Sequence, residues 1–460
     1  MTGSDMSPTA STLIIPVEVQ VREMDAKLLL ACVAAERGFP VILGSRAFTH
    51  FQAASVPRGV YLAKSMRGLS IRMFDILRKL GHEIVAWDEE ALVRHADHEY
   101  YRWRLSPEAM RQVSHLMAWG PGDERALREY SGYHGAPIHV TGNPRVDLMR
   151  PELREYYRPE ADSIRERFGE FVLVSTNFNR VNHYFAELSE LKQAAQELKG
   201  KDIHPAEVGK GRHKLALFEH FKQMLPGLCS SLADHTILLR PHPGEDRRPW
   251  LEIAERCPNM QVANDGSVVP WLMASKALIA NSCTTMVEAA VLDTPTVLFQ
   301  SVVSEEYDLE LPNRLGHRTR DTDELYATTR DVVDGKLGPL DLEARRATLD
   351  RHIAALDGPL AADRMVDVLE QAGYLKEPPP AAAMTDFVQG WVHNKARTAI
   401  KRVNMKRPAH RNNAAYHAHR FPDISVDEVE RRVERLKRLL NRFENVRVQE
   451  HSAHTFRITA

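Results

Sequence analysis

The sequence contains few cysteines and no long apolar run, and both absences exclude classes of protein. The four cysteines form no Cys-x-x-Cys pair, so neither a zinc finger nor a disulfide framework is expected. The longest apolar run, residues 28–35, is far shorter than the roughly 20 residues of a membrane-spanning helix. The first ten residues lack the basic segment of a secretion signal. We expect a cytoplasmic protein that is at most peripheral on the inner face of the cytoplasmic membrane.

An excess of charge of one sign is also missing. The 61 Lys and Arg residues nearly balance the 62 Asp and Glu residues, so the chain as a whole lacks the basic excess of nucleic-acid-binding proteins. No nucleic-acid partner is expected. With 460 residues, of which 43% are hydrophobic, the chain is long enough for two domains or more.

Short apolar runs alternate with helical patterns, which is typical of parallel α/β domains. The runs predicted to be strands include 13–17, 40–44, 83–87, 171–175, 236–240, 277–280 and 296–299. The pattern predicts an α/β fold of two Rossmann-like domains that face a cleft, over residues 11–150 and 151–375. Residues 376–460 are predicted to form a Pro-rich linker and a basic, amphipathic helical tail, with the last helix near 426–444.

A polar turn, Ser282-Cys-Thr-Thr285, separates a predicted strand from a predicted helix. Parallel sheets bind ligands outside the carboxyl ends of their strands, and the N–H groups at a helix N-terminus favour an anion. The hydroxyls of this turn are therefore predicted to bind phosphate. Thr285 and Glu288 also have the spacing of a capping box, which explains these two residues without a ligand.

His242 lies between two prolines, directly after the predicted strand 236–240. The prolines restrict the backbone and so fix the direction of the imidazole ring. A histidine held in this way donates a hydrogen bond or a proton to a phosphate oxygen, and Arg240 lies next to it. We therefore expect this loop to be part of a ligand site.

Asn177 and Asn179 follow the predicted strand 171–175. Their amides are predicted to hold ribose, base or sugar hydroxyls at the same edge of the sheet. Asparagine is also a common turn former, and this alternative stays open.

The two polar stretches resemble motifs of a known enzyme superfamily. Arg-Pro-His-Pro at 240–243 and Asn-Ser-Cys-Thr-Thr at 281–285 resemble the HP and S(S/T) motifs of bacterial glycosyltransferases that use CMP-activated sugars, the sialyltransferases and Kdo transferases. Further segments are similar to the bacterial "surface carbohydrate biosynthesis protein" family, namely 15–25, 57–65, 87–91, 141–147 and 175–179. The resemblance implies a GT-B fold in which both motifs bind the nucleotide phosphate.

The resemblance also implies a function in bacterial surface polysaccharide biosynthesis, of lipopolysaccharide or capsule. The enzyme would move a sugar, Kdo or a related nonulosonate, from a CMP-sugar to a lipid-linked or oligosaccharide acceptor, without a cofactor. The first domain would bind the acceptor and the second the nucleotide sugar. The predicted nucleotide-binding residues are Arg240, His242, Pro243, Ser282, Thr284, Thr285, Glu288, Asn177 and Asn179.

The predicted catalytic residues are His242, Glu89 and Glu90. A third superfamily motif has two acidic residues followed by Gly, whereas this chain has Asp88-Glu-Glu-Ala91, and Ala permits fewer backbone conformations than Gly. Glu90 matches the acidic residue before Gly, and its acidic neighbours are expected to raise its pKa toward neutrality. A solvated helix start is the alternative for these three acids.

Three other functions stay open. The segment Thr141-Gly-Asn-Pro144 is similar to a segment of UDP-sugar 2-epimerases. Those enzymes, however, carry a Gly-Gly phosphate loop where this chain has Ser282 and Cys283. A CDP-glycerol-type glycerophosphotransferase would share the His-Pro chemistry. A noncatalytic member of the assembly machinery would bind nucleotide or glycan without turnover.

No metal site is expected. Asp321-Thr-Asp323 has Asp-x-Asp spacing, but it precedes an amphipathic pattern, so Asp321 is predicted to cap a helix. His417 and His419 have no Cys or carboxylate partner at ligand spacing.

The basic segment 386–411 has apolar residues at roughly helical spacing. It is predicted either to rest on an anionic membrane surface or to form a solvated helix that packs on the domain.

Overall fold

The computed structural model describes residues 10–185, 189, 205–407, 410 and 413–460. Residues 408, 409 and 411 of the predicted membrane-binding segment lie outside this description. The chain forms two compact units. The first comprises the chain up to Leu92, Asp97–Tyr156 and Asp350–Ala460, and the second comprises Val93–Ala96 and Tyr157–Leu349.

The strands of the described residues are, in chain order, β1 (Thr12–Val17), β2 (Val41–Ser45), β3 (Gly59–Ala63), β4 (Glu83–Ala86), β5 (His115–Ala118), β6 (Ile138–Val140), β7 (Phe171–Ser175), β8 (Thr236–Arg240), β9 (Met260–Val262), β10 (Ala277–Ala280), β11 (Thr296–Phe299), β12 (His317–Thr319), β13 (Arg447–Ser452) and β14 (Thr455–Thr459). The strands predicted from the sequence agree with these bounds to within a residue.

The α-helices of the described residues are α1 (Gln20–Glu36), α2 (Arg46–Phe51), α3 (Ile71–Lys79), α4 (Asp97–Arg104), α5 (Pro107–Met110), α6 (Pro121–Glu129), α7 (Pro144–Asp147), α8 (Arg158–Phe168), α9 (Pro205–Ser231), α10 (Arg248–Ala254), α11 (Val268–Ala274), α12 (Thr284–Val291), α13 (Glu310–Asn313), α14 (Thr322–Val333), α15 (Leu342–Leu349), α16 (Ala361–Gln371), α17 (Met384–Met405), α18 (Ala414–Arg420) and α19 (Val426–Leu440). Short 3₁₀ helices span Gly68–Ser70 and Arg154–Tyr157.

The sheet of the first unit is parallel apart from one edge. In the described part of the chain its strand order is β13-β14-β2-β1-β3-β4-β5-β6, with β14 antiparallel to both of its neighbours. Strand β1 is buried along its whole length, and the apolar stretch of α1 is buried as well. The strand order changes direction between β1 and β3, so the loops after these strands are favoured places for a ligand.

The sheet of the second unit is parallel throughout the described residues, in the order β12-β11-β10-β7-β8-β9. From β7 the chain adds strands on one side and then, from β10, on the other. Strands β7 and β10 therefore flank the topological switch point, which is where open parallel sheets bind ligands. Both strands are fully buried, as their continuous apolar sequences predict.

An aromatic cluster supports the ligand-binding edge of this second sheet. The Phe178 ring, just after β7, lies 5.2 Å from the Phe221 ring and 6.2 Å from the Trp250 ring, measured between centroids. Phe178 and Trp250 are at most 1% exposed. The loop after β7 is thereby fixed to the core.

The C-terminal region belongs to the first unit. Helix α17 packs through Gly390, Asn394 and Thr398, and the predicted last helix is confirmed as α19. The hairpin β13–β14 extends the sheet and is not predicted by the sequence pattern. Residues 350–375, which that pattern assigns to the second domain, also lie in the first unit.

The predicted α/β class, with two Rossmann-like sheets and a helical C-terminal region, is confirmed. Among the described residues, no helix combines the length and the apolar character needed to cross a membrane.

Candidate functional site

The candidate site is formed by three loops of the second unit. They follow β7, β8 and β10, which are neighbours in the sheet, and they contain residues 176–179, 241–245 and 281–283, the last leading into α12 at Thr284. Because parallel strands end at the same edge, the three polar stretches of the sequence come together at the switch point. The loops are joined by hydrogen bonds that the sequence does not reveal.

Glu245 joins the loop after β7 to the His-Pro loop. It is 2% exposed, and its carboxylate accepts hydrogen bonds from the Thr176 hydroxyl at 2.9 Å and the Phe178 N–H at 2.8 Å. It also accepts from the His242 N–H at 3.1 Å and the Trp250 indole N–H at 3.2 Å. Burial raises its pKa to about 7, although these hydrogen bonds favour the ionised form. Glu245 is a site-forming residue that the sequence analysis missed.

His242 lies directly after β8, as predicted, and its ring orientation is fixed. Its Nδ1 accepts a hydrogen bond from the Gly244 N–H at 3.0 Å. In the neutral imidazole the proton is therefore on Nε2, which makes Nε2 the donor. A β-carbon on Gly244 would lie 3.3 Å from His242 Nδ1 and 3.4 Å from Asn179 Cβ, so Asn179 and Pro243 belong to the same loop cluster.

Ser282 has a structural role that differs from the predicted phosphate contact. Its φ of 43° is in the left-handed region, which costs energy for a residue other than glycine. Its hydroxyl donates to Asn313 Oδ1 at 3.1 Å and accepts from the Leu309 N–H at 3.4 Å, and its side chain is buried. The hydroxyl is therefore engaged within the protein, and the expectation that it contacts phosphate is not supported.

The N-terminus of α12 carries no side-chain cap. Its N-cap is Cys283, whose side chain makes no capping hydrogen bond, so the predicted capping box of Thr285 and Glu288 is wrong. Thr285 is buried and accepts a hydrogen bond from the Cys283 thiol at 3.3 Å, and Glu288 is buried further along the helix. Thr284, in the first turn, is partly exposed. The first-turn N–H groups and the Thr284 hydroxyl form an end of the helix that suits an anion.

Lys214 on α9 provides a cation that the sequence analysis missed. Its Nζ donates to Asn177 Oδ1 at 3.2 Å, and Asn177 Nδ2 donates to the Ser282 carbonyl at 2.7 Å. The side chain is 7% exposed, and among the described residues no carboxylate oxygen lies within 4.0 Å of its ammonium group. Burial lowers its pKa to about 8. A buried ammonium group without a carboxylate partner favours the binding of an anion.

The pKa of His95, also in the second unit, is affected by Lys214 and other nearby cations. Its pKa is lowered to about 3, first by burial and then by Lys210, Lys214 and Arg180. Lys214 therefore lies near two other basic side chains, Lys210 and Arg180.

Arg240 does not take part in this cluster. Its guanidinium group donates to the carbonyls of Asp265 at 2.9 Å and Gly266 at 2.6 Å and lies over the Trp271 ring. The side chain is 6% exposed. It holds the loop after β9 against β8, so we leave it out of the proposed ligand contacts.

The acidic triplet lies in the first unit, in a turn after β4, and not at a helix start. Asp88 is buried and paired with Arg104, whose Nε donates to it at 3.0 Å. Glu89 is 4% exposed and paired with Lys27 at 2.9 Å, so it belongs to a buried ion-pair network and not to an open site.

Glu90 is the exposed member of the triplet. Its side chain is 43% exposed and lies 3.5 Å from Arg22 Nη2. Its pKa is lowered, first by the charge of Arg22, so the expected rise toward neutrality is wrong. The charges of Arg22, Lys64, Arg104 and Arg145 outweigh the effect of burial, which alone would raise the pKa. Glu90 is an ionised carboxylate at neutral pH.

No group of three or more His, Cys, Asp or Glu side chains is arranged to hold a metal ion in the described ranges. The prediction that Asp321 caps a helix is confirmed, because its carboxylate accepts from the Glu324 N–H at 2.9 Å at the start of α14.

No protein-family model and no curated protein sequence matches the chain. Solved structures that resemble it include the wall teichoic acid polymerase TagF soaked with CDPG, at 13% identity and a TM-score of 0.46, over 81% of this chain and 90% of that chain. The S. aureus MnaA–UDP structure is 12% identical with a TM-score of 0.45, over 81% and 100% of the two chains. The UDP-GlcNAc 2-epimerase of Methanocaldococcus jannaschii is 11% identical with a TM-score of 0.46, over 78% and 99%. Likenesses this distant assign neither an activity nor a ligand to this chain.

Proposed function

We propose that the protein is a glycosyltransferase of bacterial surface polysaccharide assembly that binds the phosphate of a nucleotide sugar at the switch point of the second unit. The observation that carries the proposal is Lys214, a buried ammonium group without a carboxylate partner among the described residues. It lies next to Asn177 and is joined through it to the backbone of Ser282, just before the uncapped N-terminus of α12. The donor proposed is a CMP-sugar, CMP-Kdo or a related nonulosonate, in line with the resemblance of the two loop motifs.

The chemistry requires a negative charge to be stabilised on the departing phosphate. Lys214, the first-turn N–H groups of α12 and the Nε2–H of His242 are hydrogen-bond donors suited to that charge. The Gly244 N–H holds the tautomer in which His242 donates from Nε2. His242 is the proposed proton donor to the phosphate, and Asn179 the proposed contact to a ribose or sugar hydroxyl.

The proposed proton acceptor for the acceptor hydroxyl is Glu90 of the first unit. It is ionised and partly exposed, whereas Asp88 and Glu89 are buried in ion pairs. A lowered pKa makes Glu90 a weaker base than the sequence predicts.

The proposed partner of α17 is an anionic membrane surface. Its outer face exposes a stripe of apolar side chains, Met384, Phe387, Val388, Trp391, Val392, Ile400 and Val403. Lys395 and Arg402 are exposed on the same helix, and Lys406 is exposed at its C-cap. Each basic residue near an anionic lipid surface contributes about 1 kcal/mol to the free energy of membrane binding. Burial of the apolar stripe in the lipid interface strengthens the binding further.

Vesicle co-sedimentation tests the membrane proposal. We expect the protein to bind vesicles that contain phosphatidylglycerol and to be released from them by salt. Trp391→Ser should weaken that binding, whereas Trp103→Ser, at an exposed tryptophan of α4, should not. Equal binding to neutral and anionic vesicles would contradict the proposal.

A donor panel tests the activity. The protein is incubated with CMP-, CDP- and UDP-activated donors, with and without a lipid-linked acceptor, and nucleotide release is measured. We expect acceptor-dependent release of CMP, lost in Lys214→Met and His242→Ala and retained in Lys222→Met, which removes a partly exposed Lys of the same helix. Turnover of a UDP-sugar without acceptor would indicate an epimerase. Release of CMP from CDP-glycerol would indicate a glycerophosphotransferase. Binding of a donor without turnover would indicate a noncatalytic protein.

A further inference from the structure

A second positively charged cavity lies within the first unit, at the carboxyl ends of β1 and β2. It has a volume of about 210 Å³ and is bounded by residues of α2, α17 and α18. Four cationic side chains line it, Arg46, Arg397, Lys401 and Arg420, together with a single carboxylate, Glu18. This excess of positive charge stands out in a chain whose overall charge is nearly balanced.

Glu18 is already shared among several cations. It lies 2.7 Å from Lys64 Nζ and 3.0 Å from Arg46 Nη1, and it is also paired with Arg420. Burial favours the neutral form, but Lys64, Arg46 and Arg420 lower its pKa well below the usual range. Glu18 is therefore shared by three cations, of which Lys64 also pairs with Glu23 at 3.1 Å, and Glu18 makes no ion pair with Arg397.

Arg397 has no hydrogen-bond acceptor and no ion-pair partner among the described residues. Its side chain is partly buried on the inner face of α17, and it lines the cavity. Its pKa is lowered, first by burial and also by the charges of Arg46 and Arg72. A guanidinium group has five donors in a planar fork that fits a phosphate or carboxylate.

Two histidines of the cavity show the same positive field. The pKa of His50 is well below its usual value, first through burial and then through Arg397, Arg46 and Lys401. The pKa of His417 is lowered to about 4, through burial, His454 and Arg420. Both rings are neutral at neutral pH, and they bond to Tyr61 at 2.7 Å and to Ser45 at 2.9 Å.

The C-terminal helix that carries Arg397 is held firmly. Asn394 Nδ2 donates to the His50 carbonyl at 2.8 Å, one turn before Arg397. A β-carbon on Gly390 would lie 2.8 Å from Lys79 Cβ, so the helix packs closely on α3. Arg397 is thereby placed in the cavity before any ligand binds, which reduces the entropy lost on binding.

We propose that this cavity binds a phosphate group, with Arg397 as its main partner and Lys401 and Arg420 as further cations. The volume admits more than a bare ion, so the phosphate belongs to a larger ligand, either a soluble sugar phosphate or the head group of a lipid. The proposal does not rest on the nucleotide site of the second unit.

Chemical modification of arginine tests the proposal in the unaltered protein. Phenylglyoxal modifies accessible guanidinium groups, and peptide mass spectrometry measures the extent of modification at each arginine separately. Inorganic phosphate or monomeric dihexanoyl phosphatidic acid should slow the modification of Arg397 several-fold and leave Arg111, an exposed arginine of the first unit, unchanged. Protection by both probes indicates a soluble source, and protection by the lipid analogue alone indicates a head group. If neither probe protects Arg397, or if Arg111 is protected equally, the proposal is wrong.

Calorimetry separates this cavity from the second unit. In a Lys214→Met background, which weakens the other proposed phosphate site, we expect phosphate binding to remain. Adding Arg397→Gln should reduce that binding about tenfold or more, as for the loss of a charge-assisted hydrogen bond. Adding Arg111→Gln, at an exposed arginine of the first unit, should not. Absence of phosphate binding in the Lys214→Met protein, or equal affinity with and without Arg397→Gln, would overturn the proposal.

Discussion

Replacing Lys214 with Met removes the charge of the candidate phosphate site while keeping most of the side-chain volume. The lysine side chain is buried, with its Nζ 5.9 Å from the centre of the Phe178 ring, and a methionine fills most of the same space. The lysine is buried without a carboxylate partner, and burial lowers its pKa. We therefore expect Lys214→Met to leave the melting temperature of the ligand-free protein unchanged or slightly higher.

The loss of nucleotide affinity follows from the same geometry. With a pKa of about 8, Lys214 is about nine-tenths protonated at pH 7. It then makes one charge-assisted hydrogen bond to a phosphate oxygen, which contributes about 1.5–3 kcal/mol. The dissociation constant for CMP should rise roughly 10- to 150-fold in Lys214→Met.

Isothermal titration of CMP into the parent protein, Lys214→Met and Lys222→Met measures this effect. Lys222 is on the same helix but is partly exposed and paired with Glu219 at 3.0 Å, so its loss should change the affinity little. If Lys214→Met binds CMP as tightly as the parent protein, Lys214 does not contact the phosphate, and the reasoning from its burial is refuted.

The remaining predictions concern pH, the acidic turn and the C-terminal hairpin. Because Lys214 loses its proton above its pKa of about 8, CMP affinity should fall as pH rises through that value, and titration calorimetry should show no such step in Lys214→Met. Glu90→Gln should cut sugar transfer roughly a hundredfold, measured as acceptor-dependent nucleotide release, while CMP affinity stays the same. Full activity of this variant would show that another residue is the base. Gly44→Ala should loosen the hairpin β13–β14, because its β-carbon would lie 2.3 Å from the His454 carbonyl oxygen, and limited proteolysis should then remove the C-terminus. Gly68→Ala, with nothing within 4 Å of its β-carbon, should resist cleavage like the parent.

The strand pattern could be predicted from the sequence because buried parallel strands are continuous apolar runs. Strands β7, β8, β10 and β11 have the predicted bounds, and the loops that follow β7, β8 and β10 carry the polar motifs. The order in which strands pair is not encoded in such runs. The sequence alone therefore gives the loops of the site, while the switch point between β7 and β10 comes from the structure.

The capping box failed because a sequence spacing does not fix where a helix begins. Thr285 and Glu288 have the right separation, but α12 begins at Thr284, two residues earlier than a Thr285 N-cap requires, and its N-cap is Cys283. The left-handed backbone of Ser282 sets this start, and Asn313, which holds Ser282, is far away in the sequence. A local sequence pattern does not predict contacts between residues that are this far apart in the chain.

Lys214 and Glu245 were missed for different reasons. Lys214 falls on the apolar stripe of α9 that continues with Leu217, Phe218 and Phe221, and a lysine on such a stripe is a signal that could have been used. Glu245 is five residues after β8 in a stretch rich in turn-forming residues, where an acid normally faces solvent. Its burial depends on donors from three separate segments of the chain.

A crystal structure of the protein with bound CMP tests the central claim most directly. The account predicts the phosphate at the switch point of the second sheet, within hydrogen-bond distance of Lys214 Nζ, His242 Nε2 and the first-turn N–H groups of α12. A CMP phosphate bound away from these three groups would contradict the account.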